Sequence, residues 1–151
     1  MKAEEAVRAD LERAFPFLKD KVFVRRERRI FAEVPYGSFR AVLECAVKKL
    51  DFSVLCTISG LDEGAALSLI YHLARPAGMT LNLKTSVPKD NPIVKTVIDI
   101  FPNAEIYERE VVDLLGAKVD GLPDGKRYPL PDDWPKGEYP LRKDWRAKKD
   151  A

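Results

Sequence analysis

The sequence predicts an α+β domain over residues 1–117, a mixed sheet layered with helices, followed by an extended Pro-rich arm over residues 118–151. Three observations carry this reading. Apolar residues recur with a helical period at Phe39, Val42, Leu43, Ala46, Val47 and Leu50. They alternate with a strand period through Leu67, Leu69, Tyr71 and Leu73, and again through Leu81, Leu83, Thr85 and Val87. After Gly116 both periods stop, and five of the eleven prolines fall in the remaining stretch, a density that neither a helix nor a central strand tolerates.

Residues 2–14 read as an amphipathic helix with Ala3, Ala6, Val7, Leu11 and Ala14 on one stripe, limited by Pro16. Val22 and Val24, then Ile30, Ala32 and Val34, fit two short strands with a turn near Glu27 and Arg28. The helix centred on Val42 follows. Phe52 to Ser59 is apolar on both faces and reads as a central strand. The two alternating stretches after it are joined by a turn at Pro76 to Gly78. Asn91 and Pro92 look like a helix start, a capping side chain before a proline at the first helical position, with Ile93, Val94, Val97, Ile98 and Phe101 as the buried face. Pro102 and Asn103 stop that helix. A further helix runs from Ala104 to Leu115 and ends at Gly116, a left-handed cap. The sum is a layered α+β arrangement.

Charge narrows the function. Lys and Arg number 26 against 24 Asp and Glu, so the net +2 gives little general attraction to nucleic acid or anionic lipid. The opening Met1-Lys2-Ala3-Glu4-Glu5 is unlike a signal peptide, and no apolar run reaches the roughly 20 residues that span a bilayer. A cytoplasmic location is expected, with membrane contact only through a partner. Cys45 and Cys56 lie in apolar stretches and read as two buried free thiols. With His72 as the only histidine and no CxxC pair, a zinc or iron–sulfur site held by this chain is not expected. The absence of glutamine, with much Lys and Glu, matches heat-adapted composition.

Two stretches carry the functional signal. In the helix from Ala104, Glu105, Arg109 and Asp113 lie four apart, a spacing that lets Arg109 pair with both carboxylates, while Tyr107, Val111, Leu114 and Leu115 form the apolar stripe. Glu110 falls at the margin of that stripe and should have a partner or lose its charge. Paired carboxylates also serve acid–base chemistry, but no nucleophile or dedicated base accompanies these. The tail holds both tryptophans, Trp134 and Trp145, with Tyr128, Leu130, Tyr139 and Leu141, which a disordered segment would lack. Such residues either pack back on their own domain or anchor the arm on a partner.

The run Glu108-Arg109-Glu110-Val111-Val112-Asp113-Leu114-Leu115-Gly116 resembles the signature of the thirty-kilodalton, NuoC-type subunit of complex I: Glu-Arg-Glu, two variable positions, Asp, two apolar residues, Gly. Asp132-Asp133-Trp134 and then Pro140-Leu141-Arg142-Lys143-Asp144-Trp145 resemble that family's closing motif. Between them the family has Gly-His-Pro, Asp, an apolar residue and two arginines. Here Gly121-Leu122-Pro123-Asp124-Gly125-Lys126-Arg127 has Leu122 for the histidine and Lys126 for one arginine.

The resemblance implies a subunit without flavin, cluster, metal or other cofactor, and with no active site of its own. Its arm would lie on the large hydrogenase-like (forty-nine-kilodalton-type) subunit, beside the small iron–sulfur subunit. It further implies a partner interface made by Glu108, Arg109, Glu110, Asp113 and Gly116 at the arm's root, with Lys126, Arg127, Asp133, Trp134, Pro140, Leu141, Arg142, Lys143, Asp144 and Trp145 along it. Chain length and the heat-adapted composition favour a ferredoxin-linked energy-converting hydrogenase-type complex over a quinone-reducing complex I.

Two other classes are weaker. Arg25, Arg26, Arg28 and Arg29, flanked by Phe23 and Phe31, resemble a single-strand nucleic-acid reader, but Glu27 among them and the small net charge favour a solvated hairpin tip. A stand-alone enzyme would need a nucleotide loop, metal cluster or triad, and His72 has no identified partner group.

Overall fold

A computed structural model describes residues 2–148. The elements in order are helix α1 (Ala3–Ala14), a 3-10 turn (Pro16–Leu18), strands β1 (Val22–Arg26) and β2 (Arg29–Glu33), helix α2 (Tyr36–Leu50), strands β3 (Val54–Asp62), β4 (Ala66–Ala74), β5 (Thr80–Pro88) and β6 (Ile93–Lys95), helix α3 (Ala104–Leu115) and strand β7 (Lys118–Asp120). Five strands form one sheet in the order β1-β2-β5-β4-β3, and β6 and β7 form a second, parallel pair. β1 runs antiparallel to β2, while β2 runs parallel to β5 with Ile30 beside Leu81 and Ala32 beside Leu83, so the sheet is mixed and the α+β class holds. The parallel step is possible because α2 and the β3–β4 hairpin supply the long crossover that it requires.

The chain divides into two compact units, one of residues up to Thr57 with Ile70–Ser86, the other of Ile58–Leu69 with the chain from Val87 onward. In the first, Val7 and Leu11 of α1, Phe39, Val42, Leu43 and Ala46 of α2, and Ile30, Tyr71 and Leu81 of the strands are all buried. The rings of Phe39 and Tyr71 lie 4.6 Å apart, centre to centre. In α1 the buried stripe is Glu4, Val7 and Leu11, not the expected alanines: Ala3 and Ala14 are exposed. Glu4 tolerates this position because its carboxylate accepts the Arg28 amide at 2.6 Å.

Two expected elements are corrected. No helix starts at Asn91-Pro92; Ile93–Lys95 is a strand paired in parallel with Lys118–Asp120, and residues 98–100 form a turn. Four of the six residues from Ile93 to Ile98 are β-branched aliphatics and Thr96 makes five, a composition that favours strand over helix. Val94, Val97 and Phe101 are buried as expected, but Ile93 is exposed. The stretch from Phe52 forms an edge strand, not a central one: β3 ends the sheet, with Val54 and Cys56 exposed between Phe52, Leu55 and Ile58, which are buried. The thiols follow suit, Cys56 exposed and Cys45 half-buried. The hairpin at Glu27-Arg28, α2, the β4–β5 pair and α3 with its Gly116 cap stand where the periodicities put them.

Candidate functional site

The second unit is organised around α3. Its buried face consists of Ala104, Glu108, Val111 and Leu115, with Asp113 also buried; Tyr107 and Leu114 are only half-buried. Gly60 of β3 lies under the helix, so close that an added Cβ would collide with the Leu115 side chain. This glycine permits the approach of strand and helix.

Glu108 turns inward. Its Oε2 accepts the Thr96 hydroxyl at 2.6 Å and its Oε1 the Val97 amide at 2.8 Å. Burial pushes its carboxyl above the ordinary value of 4.5, and the two hydrogen bonds oppose that shift only in part. The same bonds occupy backbone and side chain where a helix from Asn91 would have run.

Asp113 faces the tail. Its Oδ1 accepts both Nε (3.0 Å) and Nη2 (2.9 Å) of Arg127, and its Oδ2 accepts the Leu130 amide at 2.9 Å. Arg127 also donates from Nη1 to the Trp134 carbonyl at 2.9 Å. Arg109 therefore does not pair with both acids: it holds Glu105 at 2.8 Å and the Pro123 carbonyl at 2.7 Å. Glu110, expected to have a partner or lose its charge, is half-buried and makes neither hydrogen bond nor ion pair with another described residue.

The C-terminal end of α3 is capped by the tail. The Leu141 amide donates to the Leu114 carbonyl at 3.0 Å and Arg142 Nε to the Leu115 carbonyl at 2.6 Å. A cation at these otherwise unsatisfied carbonyls complements the helix dipole. Gly116 has φ 72°, and the Tyr139 ring lies where a Cβ would be, with Arg142 4.9 Å above that ring. Further along, the rings of Trp134 and Trp145 lie 5.9 Å apart, and their indole N–H groups reach the Glu138 carbonyl (2.9 Å) and carboxylate (3.5 Å). Lys126, Asp133, Lys143 and Asp144 are exposed and Pro140 is half-buried.

One organising residue has no counterpart among the expected site residues. Asp62, at the end of β3, has a side chain only 1% exposed. Its Oδ1 accepts the Gly64 amide at 2.9 Å, and its Oδ2 accepts both the Lys89 ammonium and the Lys143 amide at 2.8 Å. Lys89 also reaches Asp144 at 3.2 Å. The Lys89 ammonium, with the two amides, holds the Asp62 carboxyl well below the usual carboxylate range. The spacing Asp62-Glu63-Gly64 between two strands is an Asx-turn pattern, the one sequence signal that could have pointed to it.

Thus the structure brings Asp113, Arg127 and Trp134 into one network and Gly116, Leu141 and Arg142 into another. Glu108 and Glu110 join neither. The last three positions of the expected arm lie outside the described residues. Among the described residues no three His, Cys, Asp or Glu side chains are grouped to hold a metal, and no helix is long and apolar enough to cross a membrane.

Residues 32–151 match the family described as "Respiratory-chain NADH dehydrogenase, 30 Kd subunit". A subunit of the F(420)H(2) dehydrogenase of Methanosarcina mazei is 35% identical over 134 residues, 87% of this chain and 84% of that protein. The beta subunit of the membrane-bound hydrogenase of Pyrococcus furiosus is 40% identical over 87 residues, 55% of this chain and 50% of that protein. A chain in the structure of the membrane-bound sulfane sulfur reductase, an archaeal respiratory membrane complex, superposes with a TM-score of 0.83 at 32% identity, covering 94% of this chain and 85% of that one. The chain belongs to the family of the respiratory-chain NADH dehydrogenase 30 Kd subunit and is a subunit of a complex I-related complex.

Proposed function

We propose that this chain is a non-catalytic structural and assembly subunit of the peripheral redox module of a membrane-bound oxidoreductase of the ferredoxin-linked, energy-converting hydrogenase type. Residues 1–117 are the body and residues 118–151 the docking arm. The arm meets the large hydrogenase-like, forty-nine-kilodalton-type subunit beside the small iron–sulfur subunit. The chain then sits on the cytoplasmic side of the membrane, held there by its partners.

The observation that carries this reading is how the tail divides its groups. Several of its polar groups are committed inward: Arg127 to Asp113, the Lys143 amide to Asp62 and Arg142 to the last carbonyl of α3. Two of its apolar groups face outward: Leu141 is 54% exposed and Tyr128 44%. Apolar anchors on a backbone already fixed by hydrogen bonds lose little conformational freedom on docking, so their burial converts more fully into affinity. The 40% identity to a membrane-bound hydrogenase subunit supports the hydrogenase type.

The test is recovery of the tagged chain from gently solubilised membranes of its native host. Co-purifying iron–sulfur subunits with nickel and hydrogen evolution support the proposal. Iron–sulfur subunits without nickel point to a quinone- or sulfur-reducing relative, and recovery of the chain alone overturns the assembly role. Leu141→Asp should lower the yield of the large subunit while leaving the fold intact.

A further inference from the structure

Lys2, Arg28 and Arg75 line one open cavity of about 460 Å³ in the first unit, together with Glu4, Glu27 and Met79. Three separate stretches bring the cations there: the residue preceding α1, the β1–β2 turn and the residue that follows β4. Several cations elsewhere are paired, as in Arg8 with Glu12, Arg40 with Glu44, Lys89 with Asp62 and Arg127 with Asp113. Among the described residues, Lys2, Arg28 and Arg75 make no ion pair and no side-chain hydrogen bond. Arg75 Nε is buried and lacks an acceptor, although the guanidinium lies 5.5 Å from the centre of the Phe52 ring. An aromatic face stabilises the cation but offers no acceptor to that N–H.

The two carboxylates at the cavity do not neutralise it. Glu4 is buried, its Oε1 accepts the Arg28 amide, and its charge, acting on Lys2 and Arg28, offsets only part of the positive charge. With Glu27 the carboxylates number two against three cations, and Arg25, Arg26 and Arg29 in the same hairpin add to the positive field. The first turn of α1 opens at the same place, and Lys2 gives it no side-chain cap, which leaves amide donors on that wall.

We propose that this cavity binds a phosphate-type oxyanion carried by a small molecule. Two guanidinium groups supply planar, forked donors that match phosphate oxygens, and the ammonium adds a point charge. The volume lies within the range of small-molecule sites, and a phosphate fills only a fraction of it. The rest, with Met79 on its wall, takes the group to which the phosphate is attached.

The test titrates isotopically labelled full-length protein with inorganic phosphate and then glycerol 3-phosphate, against sodium chloride at matched ionic strength, and follows the Ala3, Glu4 and Arg28 amides and the Met79 methyl by NMR. Saturable shifts with phosphate but not chloride are expected, with glycerol 3-phosphate binding more tightly. Arg28→Asn combined with Arg75→Met should weaken binding at least about tenfold. Asparagine tolerates the positive φ of 58° at position 28, and methionine keeps an unbranched apolar stem by Phe52. Lys2→Gln, at an exposed position, should weaken it several-fold with no change in unfolding. Vesicles containing phosphatidic acid separate the sources: binding that is lost in the double variant assigns a lipid headgroup, and its absence beside glycerol 3-phosphate binding assigns a soluble ligand. Equal shifts with chloride, unchanged binding in both variants, or binding confined to an oligonucleotide or an acidic peptide would overturn the proposal.

Discussion

Asp113 and Arg127, fourteen residues apart, are joined by two hydrogen bonds to a single carboxylate oxygen, while the other oxygen of Asp113 takes the Leu130 amide. One buried acid thus fixes both a side chain and the backbone of a segment that has no helix or strand. Removing it leaves three donors without their acceptor. Asp113→Ala should cost about 2–4 kcal/mol in urea unfolding, and hydrogen exchange at the Leu130 amide should accelerate. A double-mutant cycle with Arg127→Met should return a coupling of about 1–3 kcal/mol.

Gly116 combines two demands that can be separated. Its φ of 72° suits glycine, and the Tyr139 ring stands 2.5–2.7 Å from the position of an added Cβ. Gly116→Ala should therefore destabilise by more than the ~1 kcal/mol that a left-handed alanine alone costs. In a Tyr139→Ala background the clash is gone, and the penalty should fall to about that backbone value. An equal penalty in both backgrounds would mean that the ring moves aside freely.

What was legible in the sequence was whatever depends on local periodicity and caps. Helix α3 ends at Gly116 because a glycine there takes the left-handed conformation, and the β1–β2 turn falls at Glu27-Arg28 because the alternation breaks there. What was not legible depends on pairings distant in sequence. Asn91-Pro92 has the form of a helix start, yet Val94 pairs with Val119 and the Val97 amide goes to Glu108, neither of which local pattern reveals. Charge pattern on α3 suggested Arg109 as the bridge between two acids, whereas Arg127, from the tail, takes Asp113. Within the tail the motif residues were identified, but Asp62, 81 positions before Lys143, carries nothing in its surroundings beyond a turn signal.

Asp62 gives the pH dependence a definite sign. Its folded carboxyl titrates below its ordinary value of 3.8, chiefly because the Lys89 ammonium bonds to it. A group depressed on folding contributes stability above the unfolded value and loses that contribution as pH falls through the folded one. Stability should thus be insensitive to this group from neutral pH down to about 4, and decline below it. Asp62→Asn should lose stability at pH 7 and show a shallower acid limb, and the Lys143 amide should exchange faster at every pH.

Glu108 has the opposite sign. Burial raises its carboxyl above 4.5 despite the Thr96 and Val97 bonds, so ionisation at neutral pH opposes folding, and that cost is relieved as pH falls through the raised folded value toward the unfolded one. Glu108→Gln keeps an oxygen for the Val97 amide and places an NH2 group beside the Thr96 hydroxyl oxygen, at nearly the same volume. The variant should be at least as stable as the parent at pH 7, and its advantage should shrink toward pH 4.5. Glu108→Leu, which leaves the Val97 amide without an acceptor, should be less stable than either. A Glu108→Gln protein that is clearly weaker at pH 7 would show that the charge itself, and not only its hydrogen bonds, holds the Thr96–Val97 segment against α3.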